Sequence, residues 1–226
     1  MLQNKTVKSE TLGLLRRLQS EECLKETRLV GGTALALQIG HRISEDLDLF
    51  TTQEFDADLV QQTLESGYGF ITRLKREQTI IGEAEGVKID IIRHPYKWLE
   101  PDIKEQGIKM AGKKDLAAMK FHAIINSGTR PKDFIDIAYL SQSLSYDAMK
   151  RLLIEKYPSY DPITADRAIT YFGDVDASAL QSIKMNGARL DFERIKQRLH
   201  KMTDLPFKTF SSPPLCELKT SRKMRF

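Results

Sequence analysis

Cysteine is nearly absent. Cys23 and Cys216 are the two among 226 residues, and they stand at opposite ends with no C-x-x-C or metal-ligand spacing. That excludes a disulfide framework and a cysteine zinc site, and it predicts a reducing, cytoplasmic setting. No apolar run approaches the roughly 18–20 residues needed to span a bilayer, so no membrane association is expected. The opening Met1-Leu2-Gln3-Asn4-Lys5 runs into polar, helix-like sequence rather than the apolar core of a signal peptide. There is no internal repeat and no low-complexity segment. Tryptophan occurs once, at Trp98, which with Tyr96 is expected to pack where two halves of the chain meet. His41, His94, His122 and His200 share no metal spacing, so core or surface roles are expected for each.

What is present is 41% hydrophobic and 29% charged residues, enough for one fair-sized domain or two small ones with real cores. The net charge of +4 resides in residues 201–226, where Lys201, Lys208, Lys219, Arg222, Lys223 and Arg225 outnumber Asp204 and Glu217; residues 1–200 are neutral. A neutral body does not announce a nucleic-acid binder. The segment 205–226, with Pro206, Pro213 and Pro214, is expected to be an irregular basic tail, either an electrostatic grip on RNA or a solubilising end.

Periodicity predicts an amphipathic helix over 6–26, with Leu12, Leu15 and Leu18 on one face. A short strand Arg28–Val30 follows, then Gly31-Gly32 and a helix ending near Gly40. Strands are expected at 46–51, 70–75, 79–84 and 87–93, with a helix over 54–66 and a tight turn at Glu85-Gly86. Beyond about residue 98 the pattern is helical: 113–127, 132–144, 146–157, 163–172, 178–186 and 191–202. A boundary is expected near 97–110.

Three features point to chemistry. Gly31-Gly32-Thr33 between a strand and a helix lets backbone N–H groups approach a phosphate at the helix start, although such a pair is also an ordinary turn. Asp46 and Asp48 stand two apart on a predicted strand and leave the same face, while Leu47 and Leu49 enter the core. Two such carboxylates repel unless a cation lies between them, and Mg²⁺ prefers carboxylate oxygens and substrate phosphates; the alternative is a solvated strand end. Asp90, alone among Val87-Lys88-Ile89-Asp90-Ile91-Ile92, calls for a partner. If its strand lies beside Asp46–Asp48, three carboxylates converge. Such a set holds two Mg²⁺ ions for in-line transfer from a nucleoside triphosphate.

These residues carry a resemblance. Leu29-Val30-Gly31-Gly32-Thr33-Ala34-Leu35, followed by Gly40-His41-Arg42-Ile43-Ser44-Glu45-Asp46-Leu47-Asp48-Leu49-Phe50, resembles the minimal nucleotidyltransferase signature, and more narrowly the AbiEii/AbiGii toxin family of the DNA polymerase β-like superfamily. Lys113-Lys114-Asp115-Leu116-Ala117-Ala118-Met119-Lys120 and Arg130-Pro131-Lys132-Asp133-Phe134-Ile135-Asp136-Ile137 are similar to that family's later motifs. The resemblance covers about residues 28–142.

It implies an α+β fold: an N-terminal nucleotidyltransferase mixed sheet with flanking helices (1–100), a helical domain (101–204) and the tail (205–226). It implies a toxin of toxin–antitoxin or abortive-infection type that transfers NMP from an NTP, using a pair of Mg²⁺ ions, to a hydroxyl acceptor such as an RNA or tRNA end, with a cognate antitoxin as partner. Gly31, Gly32 and Thr33 would cradle phosphates, Asp46, Asp48 and Asp90 would bind metal, and Lys120 would face the triphosphate. Asp133 and Asp136 would shape the site from the helical side. Lys113 or Lys114 could replace Lys120, and Lys132-Asp133 could be helix-start capping. Arg42 and Ser44 could contact phosphate, or Arg42 could hold a neighbouring Asp. The neutral body favours a small-molecule or protein acceptor over RNA. A non-catalytic nucleotide-binding relative is the third reading, weakened by the presence of all three Asp positions and Lys120.

Overall fold

In the computed structural model, which describes residues 1–216, strict alternation along two short segments builds the centre of the sheet. In β2 (Leu47–Thr51) Leu47, Leu49 and Thr51 are buried and Asp48 and Phe50 leave the other face; in β5 (Val87–Arg93) Ile89 and Ile91 are buried and Asp90 leaves it. The two strands pair in parallel, with Asp48 opposite Asp90 and Leu49 opposite Ile91. β1 (Arg28–Leu29) runs antiparallel to β2, and β3 (Ile71–Arg76) and β4 (Thr79–Ala84) extend the other side.

The sheet does not end where the sequence suggested. Residues 103–110, expected within the helical part, form the hairpin β6 (Ile103–Glu105) and β7 (Ile108–Met110), and β7 pairs in parallel with β1. The order is β3-β4-β5-β2-β1-β7-β6. Gln106 and Gly107 both take positive φ, 54° and 76°, the two-residue turn that matches strand twist. Glu85-Gly86 does the same between β4 and β5.

Helix α1 (Ser9–Ser20) buries Leu12, Leu14, Leu15 and Leu18, and single 3₁₀ turns at Asn4–Thr6 and Glu22–Leu24 replace the rest of the long helix expected over 6–26. Helix α2 (Gly31–Ile39) is apolar nearly all round and buried; Gly40 ends it in the left-handed conformation. Helix α3 (Ala57–Tyr68) is capped by the Asp56 carboxylate, which accepts from the backbone of Asp58 and Leu59.

The helical layer comprises α4 (Lys113–Asn126), α5 (Pro131–Leu140), α6 (Tyr146–Lys156), α7 (Pro162–Ile169) and α8 (Phe192–Asp204). One apolar cluster runs through both halves. The helix expected over 178–186 is only a 3₁₀ turn, Ser178–Ser182. The chain then extends and pairs with residues 41–43: the Ile43 amide donates to the Lys184 carbonyl at 2.8 Å and the Asn186 amide to the His41 carbonyl at 3.0 Å. Residues 205–216 are irregular, as expected, but fastened: Leu215 is buried, and Arg198 of α8 donates to the Ser212 carbonyl at 2.9 Å. Lys219, Arg222, Lys223 and Arg225 of the expected basic tail lie outside the described residues.

A buried ion pair fixes α4 and α6 to the connection between the halves. Lys156 donates to the Asp115 carboxylate at 2.7 Å and to the Lys97 carbonyl at 2.8 Å, while Asp115 also accepts from the Leu99 and Glu100 amides. Trp98 lies between two cations, with Arg28 at 4.5 Å and Lys156 at 4.7 Å from its ring, consistent with packing at the junction. Removing Asp115 would strand a buried ammonium and two amides. Asp115→Ala should lower the unfolding free energy by about 3–5 kcal/mol in urea titrations; a loss under about 1 kcal/mol, the worth of a surface pair, would contradict this account.

Candidate functional site

The site begins where β1 turns directly into α2. Gly31 takes φ +67°, and a Cβ there would fall 1.9 Å from Asp48 Oδ2. Glycine is required because the Asp48 carboxylate lies against the start of α2. No side chain caps that start, so its N–H groups face the space beside Asp48. Gly32 makes room for a different neighbour: a Cβ would meet an Arg42 guanidinium nitrogen at 2.2 Å. The Thr33 hydroxyl is buried; it donates to the Asp46 carbonyl and lies 2.9 Å from Ser44 Oγ. Thr33 and Ser44 therefore tie down the loop that carries Asp46, and their hydroxyls do not line the cavity.

Asp48 and Asp90 sit side by side on the open face of the sheet. Burial and the Asp90 charge push the Asp48 carboxyl up to about 6, with Asp46 adding to the shift and Lys120 opposing it. Lys88 donates to Asp90 Oδ2 at 3.0 Å, but Asp90 Oδ1 is buried without a hydrogen-bond partner. A repelling carboxylate pair with an orphaned buried oxygen has the donor chemistry that suits a hard divalent cation. Asp46 lies just before β2 and is exposed; among the described residues no three His, Cys, Asp or Glu side chains gather as a metal cluster. The structure thus pairs two of the three expected carboxylates and leaves Asp46 exposed just ahead of them.

Across the cavity stands a buried charge cluster. Lys120 of α4 lies 2.7 Å from Asp133 Oδ1 and 2.8 Å from Asp136 Oδ2. Arg42 donates twice to Asp136, at 2.7 and 2.9 Å, and His41 Nε2 lies 2.7 Å from the same carboxylate. Burial alone would raise the Asp136 carboxyl; Arg42 and Lys120 overrule it and hold it well below the usual carboxylate range. Burial likewise opposes the Lys120 charge, and Asp133 and Asp136 outweigh it.

Two open alternatives are resolved geometrically. Of the two readings of Arg42, the structure shows the second: it is buried and holds Asp136 of the helical layer. Asp133 lies in the first turn of α5, makes no side-chain cap hydrogen bond, and joins its carboxylate to Lys120 and, at 2.9 Å, to Arg130. Between the alternatives for the family lysine, Lys120 is the one in the cavity; the Lys114 amide instead donates to Glu100.

The cavity between sheet and α4 measures about 630 Å³, a size suited to a nucleotide. Gly31, Asp48, Lys120 and Asp133 line one part of it. Arg130, Asn126, Phe50, His94, His122 and Tyr157 also line it and were missed. Phe50 was signalled by lying two residues beyond Asp48, on the same strand face, and His122 by following Lys120 on α4. Asp46 and Ser44 border a smaller hollow with Lys132 and Lys184.

Comparison with known proteins supplies an independent line. The family model described as "Nucleotidyl transferase AbiEii toxin, Type IV TA system" matches residues 13–212. An uncharacterised protein of Aquifex aeolicus, aq_aa25, is 30% identical over 184 residues, covering 79% of this chain and 89% of that protein. Among solved structures, JHP933 from Helicobacter pylori aligns with a TM-score of 0.55 and 17% identity, over 89% of this chain and 93% of its own. MenT4, a nucleotidyltransferase toxin from Mycobacterium tuberculosis H37Rv, aligns with a TM-score of 0.52 and 14% identity, over 86% of this chain and 82% of its own. At these identities the structural likeness establishes the mixed α/β fold.

The Asp48 shift has a measurable consequence. A carboxyl whose native pKa lies above its unfolded value costs stability as pH rises from about 4 to 6, and the cost is complete above 6. Asp48→Asn should therefore melt higher than wild type at pH 8, by up to about 3 kcal/mol of stability, with the advantage fading below pH 5. Identical calorimetric melting of the two proteins at pH 8 would show that the pair is not strained.

Proposed function

The chain belongs to the AbiEii nucleotidyl transferase toxin family, and on that premise we propose that it is a Mg²⁺-dependent toxin transferring NMP from an NTP to the hydroxyl of an RNA end, with a cognate antitoxin as its regulator. The observation that carries this reading is that Asp48 and Lys120 line one nucleotide-sized cavity, with Asp90 and its orphaned oxygen beside Asp48 in the sheet.

In this reading Asp48 and Asp90 would hold the divalent cation, with Asp46 as the third carboxylate; the ion, when bound, would neutralise phosphate charge and make the acceptor hydroxyl more acidic. The free N–H groups of Gly31 and Gly32 meet the phosphates at the start of α2, where the helix dipole favours negative charge. Lys120 donates to the triphosphate, and Asp133 and Asp136 keep its ammonium charged and aimed. Arg42, Thr33 and Ser44 act through others, by fixing Asp136 and the Asp46 loop. The acceptor oxygen bonds to the α-phosphorus, pyrophosphate leaves, and the hydroxyl proton passes to the Asp90 carboxylate.

The test is incubation with Mg²⁺, each α-³²P-labelled NTP in turn, and total cellular RNA or protein. Label should appear on RNA, and Asp48→Ala should lose roughly a hundredfold or more, because a metal acting as Lewis acid supplies several kcal/mol. Steep decline of labelling with salt would mark an RNA acceptor. Label on protein alone would overturn the RNA acceptor, and full activity of Asp48→Ala would overturn the mechanism.

A further inference from the structure

With the phosphates at the Asp48–Gly31–Lys120 end, the opposite wall of the cavity has no role, and that wall is aromatic. Phe50, His94 and His122 line it, with Tyr157 behind them. The placement follows from the sheet. Phe50 lies one two-residue step, about 7 Å, beyond Asp48 on the same face of β2, and its register partner is Ile92 of β5. His94 continues that face past the end of β5, where its amide donates to the Thr51 carbonyl at 2.7 Å. Phe50 is therefore the next position after Asp48 on one sheet face, and His94 lies two steps beyond Asp90 on the same face, with Ile92 between them.

The rings brace one another. His94 lies 5.6 Å from Phe50 and, edge-on, 6.3 Å from His122. His122 stacks on Tyr157 at 4.3 Å and 29°, and the Tyr157 hydroxyl lies 2.8 Å from His94 Nε2. Tyr157 is itself fully buried, so it backs the wall while His122, His94 and Phe50 retain partial exposure. Asn126 fixes the next turn of α4, donating to the His122 carbonyl at 2.7 Å and to the Tyr160 hydroxyl at 2.8 Å.

The wall is also uncharged. Burial, with Lys156 and His122 nearby, pushes His94 down to about 4, and burial lowers His122; Lys156 is occupied by Asp115. Neutral rings carry no charge to attract a phosphate. Their faces suit a flat heterocycle, which stacks without regard to which base it is.

We propose that Phe50, His94 and His122, backed by Tyr157, form the platform on which the nucleobase of the NTP stacks. The proposal rests on the nucleotide reading above and deepens it by dividing the cavity into a phosphate end and a base end. These are positioning residues: they fix the nucleoside while the chemistry proceeds at Asp48 and Asp90.

The experiment is calorimetric titration of wild type, His122→Ala and His122→Phe with each of the four NTPs and with inorganic tripolyphosphate, all with Mg²⁺. His122→Ala should bind every NTP roughly 5- to 150-fold more weakly, the worth of one base stack. Its affinity for tripolyphosphate should match wild type, which also shows that the variant is folded. His122→Phe, which restores a flat ring, should recover NTP binding. Unchanged NTP affinity in His122→Ala would overturn the platform alone, as would an equal loss for tripolyphosphate. Wild type binding neither NTP nor tripolyphosphate would overturn the nucleotide reading, and the platform with it.

Discussion

The two halves of this protein are held in register by one buried carboxylate. Asp136 comes from α5 in the helical layer; Arg42 and His41 come from the segment between α2 and β2; Lys120 comes from α4. Asp136, Arg42 and His41 are out of reach of solvent and Lys120 is nearly so, so the buried charges are tolerable only because their partners are in place. The cluster sets where α4 and α5 stand relative to the sheet. It thereby fixes the width of the cavity and the approach of Lys120 toward Asp48. Gly32 belongs to the same constraint, since a side chain there would displace the guanidinium.

Against that cluster, in which every charge has an opposite partner, the carboxylate side of the cavity is held in a strained state. The parallel register of β2 and β5 forces Asp48 and Asp90 together; among the described residues the only cation ion-paired with them is exposed Lys88, and Lys120 offsets the repulsion without overcoming it. A fold selected for stability alone would place an apolar or neutral residue at one of these positions. That the sheet tolerates a raised carboxyl and an orphaned oxygen is the expected signature of a site whose missing partner arrives from solution. Rigidity on one side makes strain on the other affordable.

Much of this was legible in the sequence because it is local. The Asp46-Leu47-Asp48-Leu49 alternation, the lone Asp90 and the leucine spacing of α1 report faces directly, and family motifs bring Lys120, Asp133 and Asp136 into one picture. What was not legible depends on partners far along the chain. Nothing near Arg42 or Gly32 shows that they serve each other and a carboxylate 94 residues away from the arginine. His94 and His122 were read singly, against metal spacings, and a stacking wall has no spacing to find. Residues 183–186 extend because residues 41–43 offer free backbone groups. The β6–β7 hairpin is a different case: Gln106-Gly107 carries the same turn signal as Glu85-Gly86, but three-residue strands leave too little alternation beside it.

The distribution of charge also bears on how a nucleotide is accepted. Of the cations nearest the cavity, Arg42 is consumed by Asp136 and Lys120 is shared between two carboxylates; Arg130, largely exposed, is paired with Asp133. Facing them, Asp46, Asp48 and Asp90 have, among the described residues, a single ion-paired cation, Lys88. The lining therefore carries no surplus of positive charge to set against a triphosphate. Under the proposed reaction, protein cations aim the phosphates while the N–H groups of α2 and the incoming divalent ions neutralise them. Nucleotide affinity should then depend steeply on the metal, and the remaining free energy must come from uncharged contacts, which the aromatic end of the same cavity is built to supply.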